Sequence, residues 1–122
     1  MNQPFHAAIR QVNEQVIIDL QGDINALVNQ ELQVVYEQAE KGMTRTILLN
    51  FEKVSYINST GIAMIVGLLA KARQSQHKMA ACGLSDHYIE IFDITRLTDY
   101  IKVYVDEPSA LLELRSQINA QM

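Results

Sequence analysis

Among the residues able to do chemistry, one has an unusual setting. Ser59 lies in the polar triplet Asn58-Ser59-Thr60, between Tyr56-Ile57 and the apolar stretch Gly61 to Ala70. Ser, Thr and Asn compete with hydrogen bonds inside a helix but satisfy the orphan amides at its start, so the triplet marks a helix N-terminus. The plain reading is that Ser59 is an N-cap. A sharper reading uses the same place. Free backbone N–H groups and the positive end of the helix dipole favour an anion there. A phosphate on Ser59 would carry about −1.5 to −2 charges at neutral pH and would change a surface, not the fold. A partner packed over that helix end would meet the dianion, which is a physical route to a binding switch.

The other reactive residues form no constellation. His6, His77 and His87 fall in different elements, with no HxxxH pair and no Cys/His cluster, so they read as surface histidines and no metal site is expected. Cys82 sits inside the apolar run MAACGL and reads as a buried, inert thiol. Gly22, Gly42, Gly61, Gly67 and Gly83 build neither GxGxxG nor GxxxxGK[ST], so no nucleotide cofactor is expected. An enzyme is not expected either, and a small nucleotide binder is the least supported reading.

The elements that must position Ser59 follow from periodicity. His6 to Val12 reads as a strand, paired as a hairpin through Val12-Asn13-Glu14 with a second strand, Gln15 to Gln21, where Val16, Ile18 and Leu20 alternate with Ile17 and Asp19. Val28, Leu32, Val35 and Ala39 share one helical face, and Gly42 is suited to a left-handed helix cap. Thr46 to Phe51 is a central strand, and Tyr56 to Gly61 a loop entering the Ser59 helix. Met79 to Leu84 is another strand. Ser85 and Asp86 cap a helix with Ile89 and Phe92 on its apolar side. Lys102 to Asp106 is the last strand. Pro108 opens a final helix with Leu111, Leu114 and Ile118 inward. Strands alternating with helices predict an α/β fold: a mixed sheet of four or five strands, mostly parallel with an antiparallel N-terminal edge, and about four helices.

On the helix after Ser59, Ile62, Ile65, Val66 and Leu69 cluster on one side, with Met64, Gly67, Leu68 and Lys71 roughly opposite. Two readings of Met64 and Leu68 stand: an exposed apolar patch beside Ser59, serving a partner or a weak homodimer, or a face covered by a neighbouring helix.

Composition bounds the rest. The chain has 122 residues, 48% of them hydrophobic and 20% charged, which suits one folded domain over 1–122. Its net charge is −4, with 10 Lys+Arg against 14 Asp+Glu and no basic run, which argues against nucleic-acid binding. Gly61 to Ala70 is about half the ~20 residues a membrane helix needs. The N-terminus shows no signal peptide, so a cytoplasmic protein without membrane insertion is expected.

Tyr56-Ile57-Asn58-Ser59-Thr60-Gly61-Ile62, after the strand Ile47 to Phe51, resembles the signature of STAS domains, specifically the bacterial anti-sigma factor antagonists, whose usual motif is Asp-Ser-Ser/Thr-Gly-Leu/Ile/Val. Gly22-Asp23-Ile24-Asn25 is similar to that family's Gly-Glu-x-Asp. Leu84-Ser85, then Ile91-Phe92 and Leu97, and the closing Val103 to Leu111 extend the likeness over nearly the whole chain. The resemblance implies a partner switch. The unphosphorylated antagonist binds an anti-sigma factor, a serine kinase with a GHKL-type ATP site, and so frees a sigma factor. The kinase phosphorylates the motif serine and ends the complex, and a PP2C-type phosphatase restores it. By position the acceptor is Ser59, with Thr60 secondary, and Asp23, Asn25, Asn58, Ser59, Thr60, Gly61, Met64 and Leu68 form the expected contact set. Asn58 and Asn25 stand where the family has aspartates, each swap removing a charge while keeping one carbonyl acceptor. These swaps keep alive an alternative: a scaffold or accessory STAS subunit, in a stressosome-like or transport complex, with Ser59 only a cap.

Overall fold

The structure is a computed structural model. It describes residues 3–42 and 45–120, with side chains through residue 115. Alternating β-branched and aliphatic residues form β1 (His6–Val12) and β2 (Gln15–Ile24), antiparallel across a tight turn in which Asn13 takes a left-handed φ of 55°. β3 (Thr46–Ile57), β4 (Lys78–Cys82) and β5 (Lys102–Tyr104) follow in parallel, giving the sheet order β1-β2-β3-β4-β5. The helices are α1 (Asn29–Glu40), α2 (Ser59–Gln74), α3 (Asp86–Ile94) and α4 (Glu107–Ala120), with short 3₁₀ turns at Ala26–Val28 and Leu97–Asp99. This is the α/β mixed sheet that the alternation predicts.

Two cores lie on the two faces. Val16, Ile18 and Leu20 of β2 pack with Leu32 and Tyr36 of α1, Ile65 and Leu68 of α2 and Phe92 of α3. Ile17, Leu48, Ala80, Cys82 and Tyr104 pack on the other face with Ala110 and Leu114 of α4. The strand period of two sends neighbours to opposite faces, so Val16 and Ile17 serve different cores. Burial pushes the Cys82 thiol up to about 12, and its Sγ makes a long contact to the Asn50 side-chain oxygen, 3.7 Å away.

Some boundaries differ from the sequence reading. β3 runs six residues past Phe51, because Lys53 to Ile57 pair with Gln21 to Ile24 beyond the end of β4, where half-exposed strands alternate polar and apolar residues. β5 stops at Tyr104. Asp106 instead accepts the Ser109 N–H at 2.9 Å as α4 begins, with Pro108 in its first turn. Ser85 caps α3 as expected, accepting the Tyr88 N–H at 3.4 Å. Gly42 does not take a left-handed conformation. α1 ends instead on a tight bond from the Lys41 N–H to the Gln38 carbonyl. His77 is half-buried, with Nδ1 3.8 Å from Glu40, and not a surface residue. Ile118 lies outside the described side chains.

Arg10 ties the edge strand to α4. Its guanidinium donates to Asp19 at 2.8 Å and to Glu107 at 3.2 Å, and this holds the Asp19 carboxyl below the usual aspartate range. Arg10 and Asp19 are 42% and 34% exposed, so solvent screening leaves a contribution of about 1 kcal/mol. A depressed carboxyl pKa stabilises the fold above the unfolded value, and that stabilisation is lost as pH falls through the folded one. Arg10→Gln is therefore expected to lower urea stability at pH 7, with the gap to the parent closing below about pH 4. A gap that does not change with pH contradicts this.

Candidate functional site

The site forms where β2 ends and α2 begins. The β2–β3 register breaks between Asp19 and Gln21 and again between Gly22 and Asp23. Gly22 has φ +85°, and a Cβ there would stand 1.9 Å from the Pro4 carbonyl oxygen, so only glycine lets the N-terminal segment cross at this point. Asp23 fixes that segment: its carboxylate accepts the Gln3 N–H at 3.1 Å, and its own N–H donates to the Gln3 carbonyl at 3.2 Å. Asp23 is buried at 8% exposure. This corrects the expectation that it contacts a partner, because its carboxylate is spent on holding the chain's start.

Ile24 and Ile57 are paired in register at the ends of β2 and β3, and Asn25 and Asn58 follow directly after them. Asn25 accepts the Leu27 N–H at 2.9 Å and caps the 3₁₀ turn, leaving Leu27 85% exposed. Asn58 accepts the Gly61 N–H at 2.8 Å and caps α2, while its own N–H donates to the Ile24 carbonyl at 3.3 Å. Asn and Asp cap helices about equally well. Both asparagines thus keep the local fold while leaving this corner without their charge.

The cap is therefore Asn58 and not Ser59, which overturns the reading of Ser59 as a capping residue. Ser59 is the first residue of α2. It is exposed, and its hydroxyl has no hydrogen-bond partner among the described residues. Thr60 is exposed beside it, and no acidic residue lies in the helix's first turn. Gly61 is buried against β2, where a Cβ would meet the Ile24 carbonyl oxygen at 2.3 Å and Ile57 Cγ2 at 2.9 Å. Sequence reasoning did not find Tyr88, whose hydroxyl accepts the Ile57 N–H at 2.8 Å and anchors the end of β3 to α3. A lone tyrosine on a short helix gives no signal for such a bond.

The α2 surface differs from the expected one. Met64 is 8% exposed and Leu68 is fully buried, so neither forms a patch for a partner or a homodimer. The buried side is Gly61, Met64, Ile65, Leu68, Leu69 and Ala72. Exposed instead are Ala63, Val66 at 44%, Gly67 and Ala70, with Ile62 half-buried. The physical reason is size. Both faces of this helix are apolar, and the rotation that buries Met and Leu while exposing Ala, Gly and Val removes more apolar area from water. An apolar surface beside Ser59 exists, built from the smaller residues, and no residue from Asn58 to Ala70 is charged.

The STAS domain family model matches residues 6–110. The anti-sigma-B factor antagonist of Staphylococcus aureus (strain NCTC 8325 / PS 47) is 34% identical over 82 residues, covering 67% of this chain and 76% of that protein. A solved anti-sigma factor antagonist from Mycobacterium paratuberculosis superposes with a TM-score of 0.80 at 12% identity, over 92% of this chain and 95% of that one. The Bacillus cell fate determinant SpoIIAA in its phosphorylated form superposes with a TM-score of 0.69 at 20% identity, over 89% and 99%. Identities this low carry a likeness of fold. Among the described residues, no helix is long and apolar enough to cross a membrane, and no three His, Cys, Asp or Glu side chains are grouped to hold a metal.

Proposed function

This chain belongs to the STAS domain family, among its anti-sigma factor antagonists, and on that premise we propose that it is a partner-switching module controlled at Ser59. The unphosphorylated chain binds an anti-sigma factor that is also a serine kinase with a GHKL-type ATP site. Phosphorylation of Ser59 ends that complex, and a PP2C-type phosphatase reverses it. The antagonist is a binding module and not an enzyme.

One observation carries this reading. Because Asn58 does the capping, the Ser59 hydroxyl is left without a hydrogen-bond partner among the described residues and exposed at the rim of an uncharged, apolar helix face. A kinase can reach that hydroxyl without unwinding α2. A partner that buries Val66 and Gly67 then places Ser59 at the edge of its interface, where an unpaired dianion is costly. Thr60 is the secondary acceptor, and Asn25, Asn58 and Leu27 complete the rim.

The direct test incubates the chain with its cognate kinase and ATP and maps the modified residue by mass spectrometry. Phosphate on Ser59 is expected, and full kinase turnover with Ser59 unmodified rules the reading out. Gly67 tests the docking face separately. A Cβ there meets nothing within 4 Å, and lysine is a better helix former than glycine by roughly 0.5–1 kcal/mol. Gly67→Lys is expected to leave the thermal midpoint unchanged or raised while weakening kinase binding by at least about tenfold, since a charge is buried unpaired in the interface. Unchanged affinity by calorimetry would place the contact elsewhere.

A further inference from the structure

A second feature lies at the opposite pole of the sheet. Thr46, Lys78 and Lys102 begin β3, β4 and β5, whereas Ser59 follows the far end of β3. β5 pairs only with Ala80 to Cys82 of β4, so among the described residues no strand lies along that edge at Lys78 and Met79. A cleft of about 340 Å³ opens there. Its floor and walls are Met79, Ala80, Leu69 of α2 and Leu114 of α4, all buried and apolar. Its rim carries Arg73, Lys78 and Lys102, three of only ten Lys and Arg in a chain of net charge −4.

The rim cations differ in their commitments. Lys102 is paired with Glu113. The Arg73 guanidinium lies 5.0 Å from the centroid of the Tyr100 ring, which holds it at the cleft mouth. The Lys78 ammonium has no acidic partner among the described residues. Asp99, the one acid on the lining, is 3.6 Å from Arg96. Tyr104, also on the lining, is 7% exposed, and its ring lies 5.7 Å from the Lys102 ammonium, so it adds apolar wall beneath the cationic rim.

We propose that this cleft binds a small organic anion: a carboxylate or phosphate head group held by Lys78 and Arg73, on an apolar body seated against Leu69, Met79 and Leu114. The volume falls in the range of small-molecule sites, about 300–1,000 Å³. An apolar floor under a cationic rim favours a ligand with both parts over either alone. The site is independent of Ser59, since the length of the sheet separates them.

The test is an amide NMR titration of the full chain at pH 7 and fixed ionic strength, with phenyl phosphate as the probe. Benzoate, inorganic phosphate and benzyl alcohol run in parallel. Expected are saturable shifts confined to the amides around Arg73, Lys78, Ala80, Lys102 and Tyr104, with a Kd below about 1 mM for phenyl phosphate or benzoate. Whichever of the two binds more tightly identifies the head group. Inorganic phosphate and benzyl alcohol are expected to bind at least about tenfold more weakly. Lys78→Gln is expected to weaken the probe by about tenfold, and Ser59→Asp to leave it unchanged. The proposal is overturned by no saturable shift up to about 10 mM of either organic anion. Shifts scattered over the surface, inorganic phosphate binding as tightly as phenyl phosphate, or full affinity in Lys78→Gln overturn it equally.

Discussion

Ser59→Asp is expected to weaken the complex with the cognate kinase by at least about 100-fold, or about 2.8 kcal/mol, while Ser59→Ala stays bound under conditions that release the phosphorylated parent. The asymmetry follows from the local chemistry. Among the described residues the Ser59 hydroxyl has no partner that alanine would lose, so removing it costs the fold little. Aspartate at the same position is favoured by the α2 dipole, by about 0.3–1 kcal/mol, so the variant should be as stable as the parent or slightly more so. Loss of binding with an unchanged or raised thermal midpoint is thus the signature of an interface effect and not of unfolding. The surrounding helix face is uncharged from Asn58 to Ala70, so no cationic side chain of that stretch pairs with the new charge when a partner covers it. Calorimetric titration of both variants into the kinase is decisive. Equal affinities for Ser59→Ala and Ser59→Asp would end the switch reading.

The second large effect is structural. Gly61→Ala is expected to destabilise the chain by roughly 2 kcal/mol, and Gly61→Val by more, although alanine is the better helix former by about 1 kcal/mol. A Cβ at position 61 would stand 2.3 Å from the Ile24 carbonyl oxygen, which is backbone and cannot swing away. Relieving the clash requires moving α2 from β2, which lengthens the bond from the Asn58 N–H to that same carbonyl. Ser59 is carried on the same turn, so partner binding should fall with stability. Gly67→Ala on the same helix is the control, expected to stabilise by roughly 0.5–1 kcal/mol because its Cβ meets nothing. Opposite signs at the two glycines in urea titrations check the packing directly. Stabilisation by Gly61→Ala would mean that the close approach to Ile24 is absent.

The neutral corner at Asn25 and Asn58 also acquires a rationale. Each side-chain oxygen is committed to a backbone N–H, of Leu27 and Gly61 respectively. Aspartate would make the same caps, so the asparagines leave the local geometry alone and change only the field around Ser59. The missing charges are legible in the sequence but the caps are not, because three adjacent residues, Asn58, Ser59 and Thr60, all belong to the capping class, and Asn58 is the one that bonds to the helix.

By itself, the sequence determined the parts of this protein that local chemistry decides. The alternation of strand and helix patterns set the mixed sheet, the Ser85 cap, the apolar stripe of α3 and the place of Ser59 at a helix start, because each depends on residues within a few positions of one another. The tertiary structure decided what depends on distant backbone. α2 could turn either apolar face inward, and its close approach to β2 at Gly61 and the larger area of Met64 and Leu68 chose the rotation, leaving Ala63, Val66, Gly67 and Ala70 outside. Asp23 belongs by resemblance to the partner-contact set, but the segment at Gln3, twenty residues earlier, folds over it and takes its carboxylate. Periodicity reports which residues share a face, but only contacts across the sheet say which face meets water.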